Sequence, residues 1–418
     1  MSRGRRLGAL TLRLWTLATR FVLIFFLARF LLPSEVGLYG LLVATMGYVV
    51  YLLGMDMYTY TNREILKAPA HRWRPLAKSH TAFLLLVYVI VLPLLLLLFA
   101  FGLLPWALVA WFFILVVTEH LALEIDRMLV AMSDQFSASL VVFLRQAMMP
   151  STIVPLMVLV PESRNLTAVL VVWTSYNVVA IVLGIALIAR KVADGERERV
   201  DWAWIRSGIL VSLAFLTGTL LLRVLFAADR QIVAIYDDLE VLGAYTFALS
   251  VGTGLSSTLS VAVHQFGYPK VVIAAHERDR EEFNRGLKTM GWQTAIVVSL
   301  AAIAVVALKD WLVAWVGGGI YAEYSWLLPA SLGVYALYNA SIVPHYGLYA
   351  LHKDRTILAA TGAALLTFIV TVVFCLTGNT SAVVSVLLGL SAASIILIAV
   401  KWVGYRHAMR EHFATRKE

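Results

Sequence analysis

The sequence predicts an all-α polytopic membrane protein, with about 12 transmembrane helices arranged as two six-helix lobes. Three observations carry that expectation. The chain is 61% hydrophobic and 14% charged, with a mean hydropathy of +0.83, against roughly 45–50% apolar and 25% charged residues in ordinary soluble domains. Twelve runs of about 20 mainly apolar residues recur along it, each long enough to cross a hydrocarbon core about 30 Å thick as a helix. The Lys and Arg residues, finally, fall on alternate sides of those runs.

Taken in order, the first run (11–32) follows the basic head MSRGRR. It is too long for the apolar part of a cleaved signal peptide, carries arginines and leads into another helix, so it reads as an uncleaved first span. The second (36–56) closes at Asp56. The third and fourth are 81–103 and 106–128, the latter carrying Glu119, His120 and Glu124. The fifth (138–160) holds Arg145, and 166–189 is the sixth. The seventh (207–227) has Arg223 towards its far end with Asp229 just beyond, and the eighth (241–265) ends at His264. Residues 289–308, 324–349, 356–376 and 380–402 complete the set; Pro329 and Pro344 make the tenth the least regular. Between the eighth and ninth, "KVVIAAHERDREEFNRGLK" (Lys270–Lys288) reads either as a surface helix or as a solvated linker.

With the N-terminus placed inside, 26 of the 34 Lys and Arg residues lie in the inside segments. Only Arg164, Arg230 and Lys309 lie outside, and Arg13, Arg20, Arg29, Arg145 and Arg223 lie within spans. That asymmetry is the positive-inside pattern, so both termini are expected in the cytoplasm and the net charge of +9 needs no nucleic-acid partner. The connecting segments are short, so function is expected within the bilayer. The single cysteine, Cys375, excludes an internal disulfide and a multi-cysteine metal or redox site, and no cofactor or metal is expected. The halves also echo each other. "LLPSEVGLYGLLVATMG" between the first two spans matches "YDDLEVLGAYTFALSVG" between the seventh and eighth in its Glu-Val, glycine and Tyr. Six spans per half imply parallel repeats, with lobes at 1–198 and 199–418.

Charges inside the spans are the candidate functional groups. A cation at the centre of a membrane helix costs about 2.5–3.5 kcal/mol on insertion scales. Arg20 lies about ten residues into the first span, near the midplane. Arg13, seven residues earlier, is on nearly the same face, whereas Arg29 is half a turn round and placed to snorkel. The first span offers them no acid. Arg145 lies at about the depth of Glu119, so a structural pair is one reading and an anion-binding role the other; the same choice holds for Arg223. Several buried guanidiniums without matching acids suit a diphosphate, whose oxygens match their planar forks. The candidate substrate-binding residues are thus Arg13, Arg20, Arg145 and Arg223. Asp56, Glu119, Glu124 and His120 are the ion-coupling candidates, with a backbone-satisfied histidine as the alternative for His120.

Enzyme signatures are missing. "SVGTGLSS" (Ser250–Ser257) and "VGGGIYAEY" (Val316–Tyr324) are glycine-rich, but neither joins a strand to a helix as a phosphate loop does. The first reads as small residues permitting close helix packing, the second as a turn outside the membrane. No paired acids sit on an outside loop, so no catalytic residue is assigned.

Several motifs then resemble one family in order along the chain: "LLPSEVGLYG" after the first span, "YTNREI" (Tyr60–Ile65) after the second, "DRQIVAIYDDLEVLGAYTFA" (Asp229–Ala248), "GYPKV" after the eighth, and "GGGIYAEY" after the ninth. Together they resemble the Wzx-like O-antigen and exopolysaccharide flippases of the multidrug/oligosaccharidyl-lipid/polysaccharide (MOP) exporter superfamily. That resemblance implies two six-helix lobes around a central cavity and no enzymatic activity. The implied work is alternating-access translocation of an undecaprenyl-diphosphate-linked oligosaccharide across a bacterial inner membrane, for O-antigen, lipopolysaccharide or exopolysaccharide assembly. Other polysaccharide-assembly membrane proteins are then conceivable partners. Family members line the cavity with cations in the first span and the second lobe, which suits Arg13, Arg20 and Arg223. Twelve spans rather than fourteen argue against a peptidoglycan precursor as substrate. The rivals are a cation-coupled multidrug exporter of the same superfamily, which calls for an acidic cavity, a membrane-embedded glycan polymerase or ligase, which calls for a large catalytic loop, and a non-transporting scaffold.

Overall fold

In the bilayer every backbone N–H and C=O must be satisfied within the chain, and helices do this for apolar segments of this length. The computed structural model describes residues 3–196 and 198–414. In order, α1 is Arg3–Phe30, α2 Pro33–Gly54, α3 Tyr58–Lys67, α4 Trp73–Leu94, α5 Val109–Ala131, α6 Gln135–Leu159 and α7 Leu166–Lys191. There follow α8 Trp202–Leu225, α9 Ala228–Tyr236, α10 Leu239–His276, α11 Arg280–Val316, α12 Leu327–Ala340, α13 Ile342–Ala350, α14 Asp354–Thr377 and α15 Ala382–Ala414. Among the described residues ten helices are long and apolar enough to cross a membrane. An eleventh is the segment Trp202–Tyr236, whose parts Trp202–Leu213 and Phe215–Tyr236 are inclined at 47°. With the 28-residue α1, each apolar run of the sequence has its helix. The all-α polytopic class holds.

The ends of these helices follow local chemistry. Asp134 caps α6, its carboxylate accepting from the Ser137 N–H. Burial opposes its ionisation, yet Lys191 at 2.8 Å and the Ser137 bond outweigh this and hold its carboxyl below the ordinary 3.8. α11 stops at Gly317, and Gly317, Gly318 and Gly319 have φ of 112°, 69° and 57°. Only glycine takes three such angles in a row without a Cβ clash, so the "GGG" is a forced turn. The tenth span is broken at Ser341 into α12 and α13, with Pro344 in the first turn of the second part.

Lys270–Lys288 is neither of the alternatives the sequence left open. α10 runs on to His276, a three-residue turn follows in which Arg278 has φ 55°, and Asp279 caps α11 by accepting from the Glu282 N–H. The charged segment is therefore the continuation of two spans beyond the bilayer as a helical hairpin. Its charged residues look loop-like only because they lie past the lipid.

The chain forms two compact units. One comprises residues to Glu35 together with Tyr39–Arg223, the other Val36–Leu38 together with Val224 onward. The division expected after residue 198 assigns α8 to the second lobe, whereas α8 as far as Arg223 lies with the first unit. There Ile205 is buried with Met57, Phe83, Leu84 and Val87, and the Trp204 ring lies 5.2 Å from that of Tyr60. In the second unit α10 packs on α12, and Gly252 allows it: a Cβ there would lie 2.3 Å from Tyr335 Cδ2. Gly252→Ala should therefore destabilise the protein by about 1–3 kcal/mol through overpacking. Thermal unfolding in detergent measures this, and an unchanged midpoint would refute the close packing.

Candidate functional site

Two polar clusters lie inside the first unit. In one, α1 meets α6. Arg20 is exposed and donates from Nη1 to Gln146 Oε1 at 3.0 Å. The next residue back, Arg145, is buried and donates to Glu119 Oε2, whose Oε1 accepts from Trp173 Nε1 at 2.6 Å. The Tyr39 ring lies 6.0 Å from that of Trp173, within the electrostatic reach of Arg20 and Glu119. Arg145 and Gln146 both belong to a π-helical turn, Leu144–Met148, inside α6. One residue more per turn re-aims the side chains locally, and such bulges recur at functional sites. With two guanidiniums and one carboxylate the cluster is formally cationic.

The second cluster gathers at the ends of α2, α4 and α5. Glu124, 4% exposed, is its centre: Oε1 accepts from Arg127 Nη1 at 2.6 Å and Oε2 lies 2.9 Å from His80 Nε2. His80 Nδ1 is 2.9 Å from Thr61 Oγ1. His120 is fully buried, its Nδ1 2.6 Å from the Tyr88 hydroxyl and its Nε2 3.7 Å from Glu124 Oε1. The Arg127 guanidinium stacks over Tyr58 at 3.6 Å and reaches Tyr51 at 5.4 Å. From the other side Arg223 lies over the Tyr51 ring at 4.3 Å and donates from Nη2 to its hydroxyl at 2.6 Å. Asp56, 1% exposed, follows the end of α2; Met55 and Asp56 both have positive φ, 45° and 50°. Left-handed non-glycine residues cost about 1–2 kcal/mol each, and strained pairs of this kind cluster at functional sites. Neither Asp56 oxygen makes a hydrogen bond of normal geometry, while Thr219, Arg127 and Arg223 lie close enough to act on it.

The structure thus brings Arg20 and Arg145 to one cluster, and Arg223, Asp56, Glu124 and His120 to the other. Glu119 is taken by Arg145 and Trp173. The Arg13 side chain lies outside the described residues. His80, Arg127, Tyr88, Tyr51 and Tyr58 were not found from the sequence. Arg127 was assigned to an inside loop because the apolar run fades at 128, yet α5 continues to Ala131 and its side chain is 11% exposed. One signal was available: His120, Glu124 and Arg127 stand at i, i+4 and i+7, a single helix face. Arg230, assigned to an outside loop, lies in α9 beside Asp229, 3.6 Å from its carboxylate, and Tyr245 donates to the other Asp229 oxygen at 2.9 Å. Among the described residues no group of three or more His, Cys, Asp or Glu is disposed to hold a metal ion.

Helices long and apolar enough to cross a bilayer, with ion-paired and polar clusters between them, define a polytopic membrane protein in which those charges are the candidate functional groups. A family profile described as "Polysaccharide biosynthesis protein" matches residues 8–269, more than half of the chain, and the protein belongs to that family. None of the curated protein sequences compared with it matches. Among solved structures, a multidrug resistance MATE family transporter of the MOP superfamily, in an inward-facing conformation, is similar with a TM-score of 0.74 at 14% identity, covering 95% of this chain and 96% of that one. The lipid II flippase MurJ, in an inward closed conformation, gives 0.69 at 13% identity over 99% and 90%. A MATE in its bent conformation gives 0.56 at 12% over 99% and 100%. At these identities the likeness is one of fold. The family match and the fold both agree with the resemblance that the motifs carry, and the chain is a multi-pass membrane protein of the polysaccharide biosynthesis family.

Proposed function

We propose that the protein flips an undecaprenyl-diphosphate-linked oligosaccharide from the inner to the outer leaflet of a bacterial inner membrane, by alternating access, for surface polysaccharide assembly. One observation carries this reading. Arg20, deep in a membrane span and exposed, has only the neutral Gln146 amide as its hydrogen-bond partner among the described residues. A guanidinium at that depth faces water or an anion rather than lipid, and a diphosphate supplies the anion. Arg223 presents a comparable group, exposed and bonded to a tyrosine hydroxyl. Arg13, seven residues before Arg20 in the sequence, is the further candidate for the phosphates in this reading. Arg145, with Glu119 in place, positions Gln146 and hence Arg20 rather than meeting the phosphates itself.

Alternation needs a driving force, which this reading assigns to an ion gradient acting on the cluster of Asp56, Glu124 and His120. Asp56 is the group best suited to exchange a proton or cation, because its oxygens are not committed to a hydrogen-bonded pair. Both termini and the basic segments are cytoplasmic in this reading, and the protein does no covalent chemistry.

The test is leaflet translocation of a short-glycan prenyl diphosphate in proteoliposomes, wild type beside Arg20→Ala. The expected result is transport by the wild type and a loss of at least about tenfold in the variant, which corresponds to about 1.4 kcal/mol. Both proteins should give the same thermal midpoint, since the exposed Arg20 makes a single neutral bond. Undiminished transport by Arg20→Ala would remove the diphosphate role. Failure of the wild type, with cation-driven dye efflux in its place, would move the protein to the multidrug branch.

A further inference from the structure

The second unit holds a buried cationic group that this function does not use. From the sequence Lys401, at the very end of the last apolar run, counts with the inside charges of the basic tail, but α15 runs on to Ala414 and leaves Lys401 3% exposed inside the unit. Its Cα–Cβ bond tilts towards the N-terminus of α15, away from the helix end where an ammonium escapes to water by snorkelling. Among the described residues no carboxylate lies within 4 Å of its ammonium.

One histidine faces it, and a second faces the first. His345 on α13 is within the electrostatic reach of both Lys401 and His264, the latter in the π-helical turn Ser260–His264 of α10. α13 and α15 are separated in the chain by the single span α14, so they run the same way. Gly347 abuts the Tyr405 ring and Gly404 faces Leu348, which brings His345 level with Lys401 one turn earlier. His264 Nε2 and His345 Nδ1 are buried without a hydrogen-bond partner, as is the hydroxyl of Ser341, one turn before His345 on the same face. The Tyr346 ring closes over His264 at 5.6 Å.

A buried ammonium without a counter-charge is unfavourable, and so are unbonded imidazole and hydroxyl groups. All of them are eased by one occupant: an ammonium, two imidazoles and a hydroxyl all donate hydrogen bonds, and no acid is present to attract a cation. Lys401 and His264 are 3% exposed and Ser341 is fully buried, so an occupant that meets them is small and has shed its water. We propose that Lys401, His345, His264 and Ser341 form a binding site for a small, dehydrated inorganic anion of the chloride type within the second unit. The site is independent of the substrate arginines, which lie in the first unit.

The test uses the purified full-length protein in detergent, with chloride exchanged for gluconate at constant ionic strength. Thermal unfolding followed by tryptophan fluorescence should shift upward by roughly 3 °C between about 1 and about 100 mM chloride, as binding to the native state requires. Lys401→Gln should abolish the shift and Ser341→Ala should reduce it. If Lys401→Gln does not fold, His345→Gln provides the same comparison. A wild type indifferent to chloride would overturn the proposal. A full chloride response retained in Lys401→Gln, or in His345→Gln where that is the variant used, would overturn it too, by putting the anion elsewhere.

Discussion

Glu124→Ala is expected to be among the most damaging single substitutions in the protein, lowering stability by about 3–5 kcal/mol. The carboxylate accepts from Arg127 at 2.6 Å and lies 2.9 Å from His80, with His120 one helical turn away. Its removal leaves a guanidinium whose side chain is 11% exposed without its counter-charge, and His80 without a partner for Nε2. Stacking on Tyr58 and Tyr51 keeps the Arg127 plane in place but supplies no anion. Glu124→Gln is the informative companion. It keeps the shape and an acceptor oxygen, so it should cost less and yield a folded protein whose transport no longer follows the ion gradient. Detergent melting curves and gradient-dependent flipping are the two readouts. A Glu124→Ala midpoint within a degree of the wild type would show that the cluster is hydrated and not held by its ion pair.

The second large effect concerns Arg145 and Glu119. Each single substitution, Arg145→Leu or Glu119→Leu, strands one buried charge and should cost about 3–5 kcal/mol. The double substitution strands neither and should recover most of that loss, because apolar replacement of a buried ion pair is often close to neutral. Trp173 will still lose its acceptor on Glu119, so recovery stays incomplete by about 1 kcal/mol. The same double variant decides what Arg145 is for. Transport that survives makes the pair a brace for the π-turn that carries Gln146. Transport lost in a folded protein returns Arg145 to the substrate-contacting set.

Much of the fold was legible because lipid imposes one simple requirement, an apolar stretch of fixed length, and each such stretch became a helix. Part of the site was legible for the same reason: Glu119 and Arg145 stand out as charges at equal depth, and they pair. What hydropathy hid lies where helices outrun their apolar core. Arg127, His80, Arg230 and Lys401 sit at span ends, where a charged residue looks like the start of a loop, and a neighbouring helix has to be present before such a residue is buried. The membership of α8 was hidden too. The repeat of "EVGLYG" and "EVLGAY" counts spans, but whether Ile205 packs on Met57 or on the second unit depends on tertiary contacts.

The hairpin formed by α10 and α11 also offers an experimental handle. At 1.5 Å per residue, the 38 residues of α10 measure about 57 Å and the 37 of α11 about 55 Å, nearly twice the thickness of a hydrocarbon core about 30 Å deep. The surplus projects as paired helices whose turn at Arg278 has no apolar role to disturb. A rigid fusion partner or a fluorophore grafted there would report on the orientation of the second unit through two long paired helices, without touching any charge inside the membrane.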